Sequence, residues 1–199
     1  MRVLGFMVLA LLAGRLAAPL EAAAQYPPYG RVTDAIVVGG MLGVADSAAE
    51  VMDGGPEVGA LIEVPIGDLR LRGEAALAFW KYNGEVFSGI PGSRMRRHRL
   101  NASVIAAPAP LGPKFRVRPY GGGGGGFYFY RFPDRPDGGS WGLHGLAGAE
   151  YLLPTMRSRW ILCTEAQLHL HAQPRSAGGG PALPMLSGHL SLLLKYRLP

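Results

Sequence analysis

Eight stretches of the chain alternate apolar and polar residues with a period of two, and this periodicity decides what the chain can fold into. The last stretch shows it plainly. Leu190, Leu192, Leu194, Tyr196 and Leu198 share one parity, and His189, Ser191, Lys195 and Arg197 share the other, with Leu193 the exception. In 159–172, Trp160, Leu162, Ala166, Leu168 and Leu170 oppose Arg159, Glu165, Gln167, His169 and His171. In 68–81, Leu69, Leu71, Ala75, Leu77 and Phe79 oppose Asp68, Arg70, Arg72 and Glu74. In 114–131, Phe115, Val117, Phe127 and Phe129 oppose Arg116, Arg118, Tyr120, Tyr128 and Tyr130. In 141–153, Trp141, Leu143, Tyr151 and Leu153 oppose His144 and Glu150. Three further stretches, 33–44, 57–66 and 95–107, alternate less sharply. There Val58, Ile62 and Val64 oppose Glu57 and Glu63, while Leu100, Ala102 and Val104 oppose Arg97, Arg99, Asn101 and Ser103. Successive strand residues point to opposite faces, so each stretch reads as a strand with one apolar and one polar side.

Length narrows the choice. The stretches run to roughly 10 to 17 residues, whereas soluble strands average about 5–6. A strand that crosses a bilayer needs about 9–11. The connections alternate as well. Pro65–Gly67, Pro108–Pro113 and Pro154–Arg157 are short, while 45–56, 82–94, 132–140 and 173–185 are longer and rich in Gly, Pro and Asp. Short periplasmic turns and longer outer loops are the pattern of an outer-membrane barrel. On that topology the aromatics sort into two girdles: Phe115, Tyr151, Trp160 and Tyr196 near the periplasmic ends, and Phe79, Phe127, Phe129 and Trp141 near the outer ends. The expectation is an all-β chain, an eight-stranded antiparallel up-and-down transmembrane β-barrel preceded by a signal peptide.

The N-terminal region reads as an export address. Arg2 precedes the uncharged run Val3–Gly14, and the stretch ends in Ala22-Ala23-Ala24, an A-x-A cleavage pattern. That run makes roughly 18 Å of helix, too short for about 30 Å of hydrocarbon. A short retained anchor helix is the other reading. The expected organisation is a signal peptide at 1–24, a short N-terminal segment at 25–32 and the barrel at 33–199.

With this pattern in hand, the chain resembles the small eight-stranded outer-membrane β-barrel proteins of Gram-negative bacteria, the OmpA/OmpX-like and opacity-type barrels. The likeness rests on Arg118-Pro119-Tyr120 followed by Gly121–Gly126 and Phe127-Tyr128-Phe129-Tyr130. Gly145-Leu146-Ala147-Gly148-Ala149-Glu150-Tyr151 and the terminal Leu192-Leu193-Leu194-Lys195-Tyr196-Arg197-Leu198 add to it. It covers about 33–199. Such barrels usually end in an aromatic residue that the outer-membrane assembly machinery recognises; this sequence ends Tyr196-Arg197-Leu198-Pro199. The resemblance implies an outer-membrane location and a structural or surface-interaction role without catalysis.

Composition limits the partners. With 48% hydrophobic residues the chain has enough apolar surface to fold, and its 17% charged residues fall below the roughly 25% of soluble domains. The formal net charge of +6 is spread along the chain apart from one cluster, Arg94, Arg96, Arg97, His98 and Arg99. No basic tail points to nucleic acid, so the expected partners are outer-membrane lipid, lipopolysaccharide and the assembly machinery. The sequence names no surface ligand. The single cysteine, Cys163, excludes an internal disulfide.

An eight-stranded barrel is just wide enough for side chains to fill it. The polar face would then hold a lumen charge network of Glu63, Arg70, Arg72, Glu74, Arg97, Arg99, Arg116, Arg118, Glu150, Glu165, Lys195 and Arg197, with both signs present to pair. A gated or ligand-binding lumen is the alternative. His144, His169, His171 and His189 share the inward parity and suggest either hydrogen-bonded lumen histidines or a metal cluster. His189-Leu190-Ser191 raises a second alternative, a lipid A-modifying outer-membrane enzyme with a base-activated serine. A third is a soluble periplasmic lipocalin-like barrel that binds a small apolar ligand, with the apolar face turned inward. The expectation carries no cofactor, no metal and no catalytic residue. Gly121–Gly126 precedes an aromatic strand end, not a helix, which argues against a dinucleotide loop.

Overall fold

The computed structural model describes residues 35–47, 52–82, 94–107, 117–132, 137–152, 159–172 and 184–198. The expected leader at 1–24 and the segment at 25–32 lie outside them. Nine strands form in chain order: β1 (Val37–Ser47), β2 (Met52–Asp53), β3 (Gly55–Ile66), β4 (Leu69–Tyr82), β5 (Arg94–Ala106), β6 (Val117–Arg131), β7 (Gly138–Leu152), β8 (Trp160–Ala172) and β9 (Pro184–Arg197). The two-residue β2 only edges β4, pairing Met52 with Tyr82 and Asp53 with Lys81. The other eight are 11 to 15 residues long. Each pairs antiparallel with its sequence neighbour, and β1 pairs with β9, so the sheet closes into an eight-stranded barrel. Closure leaves no edge among the eight. No described helix is long and apolar enough to cross a membrane, which says nothing about strands.

Alternation sets the two faces of the wall. Strand β5 is regular throughout, with Arg94, Arg96, His98, Leu100, Ala102, Val104 and Ala106 outside and the residues between them buried. The outer surface carries Leu42, Val58, Ile62, Leu71, Leu100, Trp141, Leu143, Leu170, Leu192 and Leu194, all exposed. One rim, the lower, holds the start of β1 and the end of β9. The other, the upper, holds the β4–β5, β6–β7 and β8–β9 connections. At the lower rim β3 turns into β4 through Gly67-Asp68, since Ile66 already pairs with Leu69. Gly67 takes φ 59°, a conformation most side chains disfavour and tight hairpins need.

Several boundaries differ from the sequence reading by a few residues, among them β7, which begins at Gly138 inside the expected 132–140 loop; the largest difference is between β1 and β3. The first strand runs to Ser47 rather than residue 44, because pairing with β9 continues through Ala45–His189 to Ser47–Ser187. Most of the expected 45–56 loop is therefore strand, with Gly55 and Pro56 already paired to Ala45 and Val44. Glycines at 39, 40 and 43 had blurred the alternation that would have revealed this.

Candidate functional site

The barrel interior is charged. Among the described residues it buries five carboxylates, Glu57, Glu63, Glu74, Glu150 and Glu165, and six cations, Arg70, Arg72, Arg97, Arg99, Arg118 and Lys195. The two signs interleave in two layers. In the lower layer Glu63 accepts from Arg70 at 2.6 Å, from Arg72 Nε at 3.0 Å and from Lys195 at 2.7 Å. Glu150 takes Arg70 at 2.8 Å and Lys195 at 3.0 Å, and also pairs with Arg118. Arg72 reaches on to Glu165 at 2.5 Å, and the Tyr120 hydroxyl donates to the same carboxylate at 2.6 Å. The Tyr120 ring lies 5.0 Å from Lys195 Nζ and 5.6 Å from the Arg72 guanidinium carbon, a cation–π stack within the lumen.

The upper layer is built around Glu57 and Arg99. Arg99 donates to Glu57 at 2.8 Å, to Gln167 at 2.9 Å and to His169 Nε2 at 2.8 Å, and pairs with Glu74. Gln167 bridges downward, donating to Glu74 at 3.0 Å and to Glu165 at 2.6 Å, so the two layers are one network. Arg97 covers the Trp80 ring at 4.4 Å and contacts His189 Nε2 at 2.6 Å and Ser187 at 3.1 Å. Buried charge is tolerable only when paired and hydrogen-bonded, and each of the five carboxylates here meets at least one of the six cations.

Of the residues expected in the lumen, Arg116 falls outside the described residues, and Arg197 lies half-buried at the lower mouth, its backbone N–H donating to the Arg159 carbonyl at 2.9 Å. The others are all buried. Glu57 was missing from that expectation, although it shares the parity of Glu63 and opposes Val58. The Arg94–Arg99 cluster is not one patch: Arg97 and Arg99 point in, while Arg94, Arg96 and His98 point out. Cys163 is buried in the lumen.

Three of the four inward histidines come together, and His171 adjoins them through the Tyr128 ring, whose centroid lies 4.4 Å from its own. Ring centroids are 4.4 Å apart for His169 and His189, and 5.3 Å for His144 and His169. Their nitrogens are already engaged, except for His144 Nδ1, which is buried without a hydrogen-bond partner among the described residues. His169 Nδ1 bonds the Tyr128 hydroxyl at 2.7 Å, His189 Nδ1 meets Glu57 at 2.8 Å, His171 bonds Tyr130 at 2.9 Å, and His144 Nε2 bonds Ser103 at 2.6 Å. No group of described residues could hold a metal ion. The Ser–His reading fails too: Ser191 and His189 both face the lumen, and His189 is held by Arg97 and Glu57 rather than by Ser191. The lipocalin-like alternative fails because it needs an apolar interior, and here the apolar face is the outer one.

Three of the six glycines of β6, the inward-facing Gly122, Gly124 and Gly126, work through space rather than backbone conformation. A Cβ on Gly124 would lie 1.9 Å from the Ala102 carbonyl oxygen, and one on Gly122 would lie 2.2 Å from that of Val104. Register sets Gly124 between Ser103 of β5 and His144 of β7. With no side chain in between, Ser103 and His144 bond across the intervening strand.

The aromatics of the outer face gather at both rims. Phe79, Phe127, Phe129 and Trp141 lie toward the upper rim, where the Phe127 and Trp141 rings meet edge-on at 5.1 Å. Tyr151, Trp160 and Tyr196 lie at the lower rim, where Trp160 and Tyr196 meet at 4.9 Å. Phe115 is outside the described residues.

A closed eight-stranded antiparallel barrel, apolar outside and charged inside, defines the fold class of the small outer-membrane barrels. One solved structure carries a likeness of fold. The chain is similar to Neisserial surface protein A, with a TM-score of 0.56 and 16% identity, over 82% of this chain and 96% of that one. It also matches a major outer membrane protein of Thermus thermophilus (TM-score 0.47, 15% identity, 82% and 98% coverage). A third match is the attachment invasion locus protein Ail of Yersinia pestis (TM-score 0.45, 12% identity, 82% and 97% coverage). The likeness of fold rests on the first. No protein-family model matches the chain, and no curated protein does.

Proposed function

We propose that this chain is a non-enzymatic protein of the Gram-negative outer membrane, exported by a leader at 1–24 and inserted as a barrel by the assembly machinery. In this reading the lumen network is structural: it fills and rigidifies the barrel. The protein then acts through its outer wall, which contacts lipid and lipopolysaccharide, and through its upper-rim loops, which offer a surface for a ligand. The two aromatic girdles anchor the wall at the interfaces. No cofactor, metal or nucleic acid takes part. One observation carries this reading: the polarity of the wall is inverted relative to a soluble barrel. Exposed leucines on the outside would be an aggregation surface in water, whereas in lipid they are solvated and closure satisfies the backbone.

Gel mobility tests it. Envelope-extracted protein, run boiled and unboiled after separation of outer membrane from periplasm, should give a heat-shifted band in the outer-membrane fraction. A soluble periplasmic protein with no shift would overturn the reading. A second test uses the wall itself. Leu192 is exposed in the middle of β9, opposite Leu42. In protein refolded into phospholipid vesicles, Leu192→Arg should cost about 2–4 kcal/mol by urea unfolding, as expected for an arginine near the bilayer midplane.

A further inference from the structure

The outer face is not uniformly apolar at the upper rim. On three adjacent strands its outward positions carry Lys81 (β4), Arg94 and Arg96 (β5) and Arg131 (β6), all exposed, with His98 one step below. Register sets Lys81 opposite Arg94, and Arg96 opposite Arg131. Such partners have Cβ atoms about 4.5–5.5 Å apart, and like charges there repel. Among the described residues none of the four forms an ion pair. The contrast with the alternate positions of β5 is sharp, because Arg97 and Arg99 are both paired with Glu57. Near the same rim, the described outward positions of β1, β3, β7, β8 and β9 carry no lysine or arginine.

What lies beneath the cations decides the ligand. Phe79 pairs with Arg96, and Phe129 with His98. Leu100 and Phe127 follow, and then Ala102 beside Gly125. A basic patch abutting apolar wall on one face matches an amphiphile, not a soluble anion. Guanidinium forks suit phosphate oxygens, and a single phosphate placed between opposed cations removes their repulsion.

We propose that Lys81, Arg94, Arg96 and Arg131 form a docking site for the phosphorylated headgroup of a lipid in the outer leaflet, whose acyl chains lie against β5 and β6 below. This rests on the outer-membrane reading above. The test uses the full chain, extracted from membranes and exchanged into phosphatidylcholine nanodiscs doped with bis-phosphorylated lipid A. Retained lipid is read by native mass spectrometry. The native chain should retain lipid A over phosphatidylcholine, and the variant Lys81→Ser/Arg94→Ser/Arg96→Ser/Arg131→Ser should lose at least about tenfold of that preference while keeping its heat-shifted band. The smaller variant Arg94→Ser/Arg96→Ser covers the case in which four changes prevent folding. Monophosphoryl lipid A should be retained less, and millimolar inorganic phosphate should not compete. Equal retention by the native chain and a folded variant overturns the site. Effective competition by inorganic phosphate also overturns it, as the mark of a soluble-anion site. A chain that never reaches the membrane fraction overturns the outer-membrane reading as well, whereas one that inserts without lipid preference overturns this proposal alone.

Discussion

Glu63→Ala should destabilise the refolded barrel by about 3–5 kcal/mol, the cost of breaking a buried ion pair by removing one partner. Glu63 faces three cations at once, Arg70, Arg72 and Lys195. Arg70 and Lys195 then share Glu150, and Arg72 keeps Glu165 at 2.5 Å and Glu74 at 3.7 Å. Excess positive charge is therefore left among buried side chains. Urea unfolding in vesicles measures the loss, and a second change identifies its origin. In a Lys195→Met background one of the stranded cations is already gone, so the Glu63→Ala penalty should shrink. An unchanged penalty would mean that Glu63 matters by packing and not by charge.

Gly124→Val should also be damaging, by an unrelated route. The added Cβ meets the Ala102 carbonyl oxygen at 1.9 Å and the Ser103 Cα at 2.8 Å, and neither backbone atom can rotate away. Strands β5 and β6 must separate, and the Ser103–His144 bond across β6 is lost with them. Overpacking a tight site costs about 1–3 kcal/mol, and β-branching adds to it here. Gly121→Ala is the matched control. Its Cβ finds nothing nearer than the Leu146 carbonyl oxygen at 3.6 Å, so it should change stability by less than about 1 kcal/mol, on the favourable side. If both substitutions behave alike, the glycine run is not a spacing device.

Which residues face the lumen could be read from parity alone. A step of two reverses no face, so Arg70, Arg72, Glu150, Glu165 and Lys195 follow from their strands once the apolar face is known. Parity also separates Arg97 and Arg99 from Arg94, Arg96 and His98, although a run of basic residues invites reading as one patch. Glu57 was harder to place. Its strand is interrupted by Gly55 and Gly59, so its alternation is weak, and its importance lies in reaching Arg97, Arg99 and His189 on two distant strands. Such meetings depend on register and barrel shear, which the period-two signal does not contain. The Ser103–His144 bond is the extreme case, because it needs three strands in register and an empty side-chain position between two of them. The overlong first loop has a simpler cause: glycines carry no parity.

The seam between β1 and β9 shapes how the molecule can come into being. Among the eight barrel strands every other pairing joins strands that follow one another around the wall in chain order and can zip up from a local hairpin; the two-residue β2 only edges β4. The seam joins Val37 to Arg197 and Ser47 to Ser187, a contact of very high sequence separation, and such contacts form slowly. Until it forms, both strands present a row of unmatched amides and carbonyls, which hydrocarbon tolerates poorly. On the outer-membrane reading, a half-built barrel therefore has no comfortable resting place in the bilayer. Closure is then the step that matters: on the outer-membrane reading neither β1 nor β9 is fully satisfied until it has met the other, so insertion and completion are expected to be coupled.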